Sequence, residues 1–277
     1  MTATMSTINT KPVVITRPEK QAQALRARLD AFGISSLVLP MFEIGPLPQA
    51  SDYEVLDAAL RRIDELALVV FVSPNAIDAW FARLDFLGIS RPANLPLAGM
   101  GAASRVALLE HGVDPENTPL IFPRNPDKTD SETLLDELDL EQLTGRQVLI
   151  VRGDSGRDFL ADRLRQAGVN VIQAAAYQRM IPHFDEPLQQ RLSDALESQS
   201  AWVITSSELL PRLLEWCRIL GDGALVAKMQ QQIIFVPHVR IFEKAKESGF
   251  VHVIQTASGD ENLALAIQSH YERSNYS

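Results

Sequence analysis

The chain of 277 residues contains a single cysteine, Cys217, and no long apolar segment. One cysteine cannot form an internal disulfide, which is typical of proteins from a reducing compartment, and its helical apolar surroundings predict a core position. The longest apolar run, residues 66–72, is far shorter than the roughly 20 residues that a membrane-spanning helix needs. The first residues show no apolar segment of a secretory signal. These features predict a cytoplasmic protein without a membrane span.

Basic residues are fewer than acidic residues in this chain. The formal net charge of −9 argues against a nucleic-acid partner, because neutralising phosphates requires a basic surface. The histidines show no spacing typical of metal ligands, so no metal site is predicted. After Gly99 and Gly101, Ser104 stands where a dinucleotide-binding fingerprint has its third glycine, and no strand ends in an acidic residue about 20 positions later. The sequence therefore predicts no cofactor.

Short runs rich in β-branched residues alternate with amphipathic segments along the chain. These runs predict strands at residues 13–16, 66–72, 97–99, 148–151, 169–172, 202–205, 233–236 and 251–254. The segments between them, such as residues 20–32 and 157–167, predict helices. Alternating strands and helices predict an α/β fold with parallel sheets that helices cover on both faces.

Part of this pattern recurs about 135 residues later. Arg17 ends the first predicted strand and Arg152 ends its counterpart, and leucines and a glycine follow both arginines at equal spacings. Residues 70–75 correspond to 203–207, and residues 97–101 correspond more faintly to 234–238. The order of these blocks predicts two lobes built by duplication, each about the size of one doubly wound domain.

Small, hydroxyl-bearing or basic residues follow the predicted strands. Parallel sheets bind ligands at the carboxyl ends of their strands, and the helix that begins there favours anions through its free N–H groups and dipole. We therefore predict an anion-binding cleft between the lobes. Taken singly, each residue is explained equally well as a helix cap or a turn residue. The positions are Thr16, Arg17, Ser73, Gly101, Ser104, Arg152, Gly153, Ser206 and Ser207.

The order and spacing of five short segments resemble the uroporphyrinogen-III synthase family. The resemblance covers residues 13 to about 267 and is most specific where Arg152-Gly153 is followed by Gly156-Arg157 and then by Tyr177-Gln178-Arg179. The segments are Ile15-Thr16-Arg17-Pro18, Val72-Ser73-Pro74-Asn75-Ala76, Gly101 with Ser104, Val148-Leu149-Ile150-Val151-Arg152-Gly153 with Gly156-Arg157, and Ala176-Tyr177-Gln178-Arg179.

The resemblance implies two doubly wound, flavodoxin- or Rossmann-like lobes joined by a two-stranded linker. Residues 1–40 and 182–277 would form lobe one, and residues 47–172 would form lobe two. Residues 41–46 and 173–181 would be the connecting strands, and the prolines that border them, Pro40, Pro46 and Pro182, favour extended backbone nearby.

The resemblance also implies a reaction. The substrate would be hydroxymethylbilane, a linear tetrapyrrole that carries eight carboxylates. The product would be uroporphyrinogen III, formed with inversion of ring D and loss of water. This chemistry needs no metal and no cofactor. The expected protein is a cyclising lyase of haem and sirohaem biosynthesis, a monomer that contacts hydroxymethylbilane synthase transiently.

Tyr177 matches a family tyrosine beside the cleft, and the resemblance implies that it donates a proton to the departing hydroxyl. A phenol has an ordinary pKa near 10 and so keeps its proton at neutral pH. The same side chain could instead only pack in the connecting ribbon. Arg17, Arg152 and Arg157 would contact substrate carboxylates, or could instead only form surface salt bridges. Further donors would come from Ser73, Ser104, Gly153, Ser206 and Ser207.

Three points stay open in the sequence. His238 stands where the family often has a hydroxyl residue, so its role is undefined. A non-catalytic binding or regulatory protein could use the same bilobed scaffold. A sugar-nucleotide transferase would need an acidic metal-binding pair at a strand end, and no such pair is recognisable.

Overall fold

The structure is a computed structural model that describes residues 11–124 and 131–275. Its internal contacts divide the chain into two compact units. The second unit is Ile44–Met180, and the first unit comprises the described residues up to Glu43 and from Ile181 onward. Each unit contains one β-sheet.

The strands and helices alternate along most of the described chain. The strands are β1 (Val13–Ile15), β2 (Ser36–Val38), β3 (Glu43–Gly45), β4 (Leu66–Phe71), β5 (Leu97–Gly99), β6 (Leu120–Ile121), β7 (Gln147–Gly153), β8 (Asn170–Met180), β9 (Ala201–Val203), β10 (Ile233–Val236) and β11 (His252–Gln255). The helices are α1 (Glu19–Ala31), α2 (Glu54–Leu60), α3 (Pro74–Leu87), α4 (Ala102–Glu110), α5 (Ser131–Leu135), α6 (Leu140–Leu143), α7 (Phe159–Gln166), α8 (Glu186–Glu197), α9 (Leu209–Gln230), α10 (Val239–Glu247) and α11 (Asp260–Asn275).

The sheet of the first unit has the order β11-β10-β9-β1-β2, and its neighbouring strands are parallel. Successive strand residues point to opposite faces, so both faces need a cover of helices. Val14 and Trp202 pack in one apolar cluster with residues of α8, α9 and α10. Val13 and Val203 pack in a second cluster with residues of α1 and α11. This unit is therefore doubly wound.

The sheet of the second unit has the order β3-β8-β7-β4-β5-β6, and the strands from β8 to β6 pair in parallel. Val69 and Leu149 belong to a cluster with residues of α2, α3 and α4. Val70 and Val148 belong to the cluster on the other face, with residues of α5, α6 and α7. The second unit is doubly wound as well, and the predicted α/β fold class with parallel sheets is confirmed.

The repeated sequence blocks occupy equivalent positions in the two sheets. The first block forms β1 in one unit and β7 in the other, the second forms β9 and β4, and the third forms β10 and β5. The sheets accordingly share one strand order, β2-β1-β9-β10-β11 in the first unit and β8-β7-β4-β5-β6 in the second. In the first unit, β1 pairs with β9, so strands from both copies of the repeat lie in one sheet.

The structure corrects several predicted strand limits. The predicted strand at residues 169–172 continues to Met180, so most of the segment 173–181 lies in one 11-residue strand, β8. The predicted strand at 202–205 ends at Val203, because the chain turns there toward α9. The short strands β2 and β6 were missed, since two or three residues carry little periodicity. β3 lies inside the segment 41–46 that was predicted as a connecting strand. The predicted lobe limits stay a prediction.

Candidate active site

A β-bulge in β8, opposite the end of β7, determines where Tyr177 points. The strands β7 and β8 pair evenly up to Arg152, but Gly153 is opposite Tyr177, so Ala176 is an extra residue in β8. Side chains alternate along a strand, and an extra residue therefore shifts the next side chain to the other face. Tyr177 consequently joins the apolar cluster that also holds Ala176.

The Tyr177 hydroxyl meets Ser73 at the carboxyl end of the sheet. Ser73 follows β4 and is the N-cap of α3, where its Oγ accepts a hydrogen bond from the backbone N–H of Ala76 at 3.2 Å. The same Oγ lies 3.0 Å from the Oη of Tyr177, and either oxygen can be the donor. Tyr177 is 5% exposed, so its ring is fixed by packing. The structure thus brings two predicted site residues together.

Gly153 lies directly against the Tyr177 ring. A Cβ atom built on Gly153 would be 3.0 Å from both Cε2 and Cζ of the ring and 3.3 Å from Oη. Separations of this size are tighter than ordinary van der Waals contact. Gly153 therefore provides the space that the ring of Tyr177 occupies.

Arg152 is the next-to-last residue of β7 and Arg157 follows the strand, and both arginines form ion pairs with acidic side chains. Arg152 donates to Asp158 across 2.5 Å and is 14% exposed, whereas Arg157 pairs with Glu132 across 3.1 Å and is 67% exposed. The hydrogen bond from Arg152, followed by one from Gln173, lowers the pKa of Asp158 below its usual value.

A shallow depression of about 220 Å³ runs beside these two arginines. Its lining includes Arg152, Arg157, Ser155 and Gln173, so most of its polar groups are hydrogen-bond donors or cations. Such a lining is suited to an anionic group of a ligand.

Ser104 follows β5, the strand that neighbours β4. It belongs to the first turn of α4 and is 3% exposed. A Cβ atom on Gly99 would be 2.7 Å from the Cβ of Ser104, so the two residues are in close contact. The side chain of Ser104 is buried under its helix, and its predicted role as a donor to substrate stays a prediction.

In the first unit, the residues that end β1 already have partners. The Oγ1 of Thr16 is buried and donates to the carbonyl oxygen of Val203 at 2.8 Å, which joins the ends of β1 and β9. Arg17 pairs with Asp260 at the start of α11 across 2.5 Å and is 15% exposed. Thr16 is thus a structural residue, while Arg17 carries a charge that is held in place by an acid.

Ser206 and Ser207 follow β9 and are half-buried in the turn that precedes α9. The carbonyl oxygen of Ser206 accepts a hydrogen bond from the amide of Leu209 at 3.2 Å. His238 is exposed at the N-cap of α10, and its Nδ1 lies 3.3 Å from the Oγ of Ser258. These residues follow β9 and β10 at the carboxyl edge of their own sheet.

Residues 23–263 match the family model described as uroporphyrinogen-III synthase HemD. The chain belongs to the uroporphyrinogen-III synthase family. The resemblance found in the sequence is therefore confirmed. Uroporphyrinogen-III synthases are cyclising lyases of tetrapyrrole biosynthesis.

Two relatives named uroporphyrinogen-III synthase align with most of the chain. The protein from Salmonella typhimurium is 29% identical over 258 residues, which cover 88% of this chain and 99% of the relative. The protein from Escherichia coli K12 is 25% identical over the same length and coverage. The family's sequence pattern thus extends over nearly the whole chain.

Solved uroporphyrinogen-III synthase structures share the fold. The enzyme from Helicobacter pylori superposes with a TM-score of 0.56 at 16% identity, covering 94% of this chain and 100% of that chain. A mutant of the enzyme from Thermus thermophilus gives a TM-score of 0.56 at 15% identity, covering 96% of this chain and 100% of that chain. At such low identity the likeness concerns the fold.

Three further observations concern the cysteine, membrane-spanning helices and metal-binding clusters. The thiol of Cys217 is buried, and desolvation raises its pKa to about 12, so it is a core residue and a poor nucleophile. Within residues 11–124 and 131–275, no helix is long and apolar enough to span a bilayer. The same residues contain no group of three or more His, Cys, Asp or Glu side chains arranged to hold a metal ion.

Proposed function

We propose that this chain converts hydroxymethylbilane to uroporphyrinogen III, with inversion of ring D and loss of water. The observation that carries the proposal is the family match over residues 23–263. The Tyr177 hydroxyl at the carboxyl ends of the strands agrees with it, because this edge is where parallel sheets bind ligands. The reaction would occur in the cytoplasm, on a monomer that contacts hydroxymethylbilane synthase transiently.

Tyr177 is the proposed proton donor. Its phenol proton passes to the oxygen of the hydroxymethyl group, the C–O bond breaks with both electrons going to oxygen, and water leaves. The pyrrole nitrogen stabilises the resulting cation. The far ring attacks this cation at its already substituted carbon, and the spiro intermediate opens and recloses with ring D inverted. The last ring loses one proton as it becomes aromatic again, which replaces the proton that Tyr177 donated.

The arginines are the proposed partners of the substrate carboxylates. In the second unit Arg152 lies at the end of β7 and Arg157 follows it, and in the first unit Arg17 follows β1. Each is paired with an acidic side chain that a substrate carboxylate would replace. Ser104, Gly153, Ser206 and Ser207 remain proposed donors or contacts.

The isomer assay tests the proposal. Hydroxymethylbilane is generated enzymatically in the presence of the purified protein, and the oxidised type I and type III products are separated by chromatography. We expect type III to predominate, because direct closure without inversion gives type I only. Heat-denatured protein is the control. A product that is entirely type I with native protein would refute the proposal and favour the non-catalytic binding protein.

A further inference from the structure

The Ser73 hydroxyl forms two contacts at once. Its Oγ is 3.2 Å from the backbone nitrogen of Ala76 and 3.0 Å from the Oη of Tyr177. A backbone N–H can only donate, so Ser73 accepts from Ala76 through a lone pair of its oxygen. The serine proton is then available to the oxygen of Tyr177.

We infer that Ser73 is a positioning residue for Tyr177 and does not itself bind the substrate. In this arrangement Ala76 N–H donates to Ser73 Oγ, and Ser73 O–H donates to Tyr177 Oη. The phenol proton then points away from Ser73 and is free for the leaving hydroxyl. The inference rests on the proposed function, since it assigns Tyr177 the role of proton donor.

The direction of this chain of hydrogen bonds also suits the chemistry. As the phenol gives up its proton, negative charge develops on Oη, and a hydrogen bond to a charged acceptor is stronger than one between neutral groups. The contact from Ala76 at the N-terminus of α3, a helix of 14 residues, polarises the serine hydroxyl in the same sense. Ser73 therefore stabilises the deprotonated tyrosine more than the protonated one.

Because packing fixes the Tyr177 ring, the contact with Ser73 determines the orientation of the phenol O–H. The Tyr177 ring is buried and lies against the backbone of Gly153, so the ring itself has little freedom. The hydroxyl of Tyr177 can still rotate about the Cζ–Oη bond. The hydrogen bond with Ser73 restricts that rotation, which is how a residue without substrate contact affects the rate.

Ser73 also caps α3, and this structural role must be separated from the positioning role. Replacing an N-cap serine by alanine destabilises a helix whatever the site does. Asp185 offers a matched control, because it caps α8, accepts from the amide of Leu188 at 3.1 Å, and is likewise followed by a proline at the helix start. Asp185→Ala removes a comparable cap in the other unit.

The experiment is a kinetic double-mutant cycle on the formation of the type III isomer, with wild type, Ser73→Ala, Tyr177→Phe and the double variant. We expect Ser73→Ala to lower kcat about 10-fold with KM unchanged, and Tyr177→Phe to lower it about 100-fold, within the range of general acid catalysis. The double variant should be no slower than Tyr177→Phe alone, because Ser73 acts through that hydroxyl. Ser73→Thr should restore kcat.

The control variants show which proposal each unexpected result would overturn. Asp185→Ala should lower the melting temperature about as much as Ser73→Ala while kcat stays at the wild-type value. Additive losses in the double variant, or a raised KM with unchanged kcat in Ser73→Ala, would overturn the positioning role alone. A wild-type kcat in Tyr177→Phe would remove both the proton donor and the positioning role. A wild type that forms only type I would refute the proposed function itself.

Discussion

Gly153→Ala perturbs the candidate site by one methyl group. The new Cβ would lie 3.0 Å from Cε2 and Cζ of Tyr177 and 3.3 Å from its Oη, so the ring must move by a few tenths of an ångström. Overpacking of this kind costs about 1–3 kcal/mol of unfolding free energy. A displacement of 1 Å at a catalytic group can cost about 100-fold in rate, so a shift of this size predicts a loss in kcat of about 4- to 10-fold.

The assay is the initial rate of type III formation, measured beside the urea midpoint of each variant. Gly223→Ala is the control, because a Cβ on Gly223 meets no heavy atom within 4 Å and the residue lies inside helix α9. Alanine is the better helix former, so this variant should be slightly more stable and fully active. A folded Gly153→Ala protein with wild-type kcat would refute the reasoning that the bare backbone of Gly153 fixes the phenol.

Two further predictions concern the strand ends. Thr16→Val removes the buried hydrogen bond to the carbonyl oxygen of Val203, and we expect urea denaturation to show a loss of about 1–3 kcal/mol. Thr16→Ser keeps the hydroxyl and should lose less, so equal losses would contradict a structural role. Arg152→Gln should raise KM about 10-fold with little change in kcat, because it removes one charge-assisted contact to a carboxylate. Asp158→Asn removes the carboxylate that competes with the substrate for Arg152, so it should not raise KM in steady-state assays. If both variants raised KM equally, the Arg152–Asp158 ion pair would instead stabilise the folded protein.

The buried sheets were predictable because their strands carry a strong local signal. Runs such as β4 are apolar and β-branched on both faces, as strands covered by two layers of helices must be. The repeat was also visible in the sequence, and the structure gives it a meaning, since equivalent blocks occupy equivalent strands of two sheets. The two sheets therefore share a strand order that the repeated blocks follow.

The details of the site were not predictable in the same way. Nothing in the sequence around Ala176 signals the bulge, because a bulge depends on how β8 pairs with β7. The contact of Ser73 with Tyr177 joins residues 104 positions apart, and only the fold brings them together. The acids that hold Arg17 and Arg152 were missed as well, although Asp158 lies six positions after Arg152.

Thr16 lies at a strand end as expected, but its hydroxyl does not face a ligand. Its position at a strand end suggested a group that faces a ligand, but its hydroxyl is buried and bonded to Val203. A hydroxyl beside two strand ends satisfies either a ligand or the neighbouring backbone. Only the position of the neighbouring strand decides between these uses.

The most direct measurement is the ratio of type III to type I product that the purified wild-type protein forms from hydroxymethylbilane. We expect a product that is mainly type III and a ratio that returns to the uncatalysed value after heat denaturation. A ratio that native protein leaves at the uncatalysed value would contradict the proposed reaction, whatever the fold and the family.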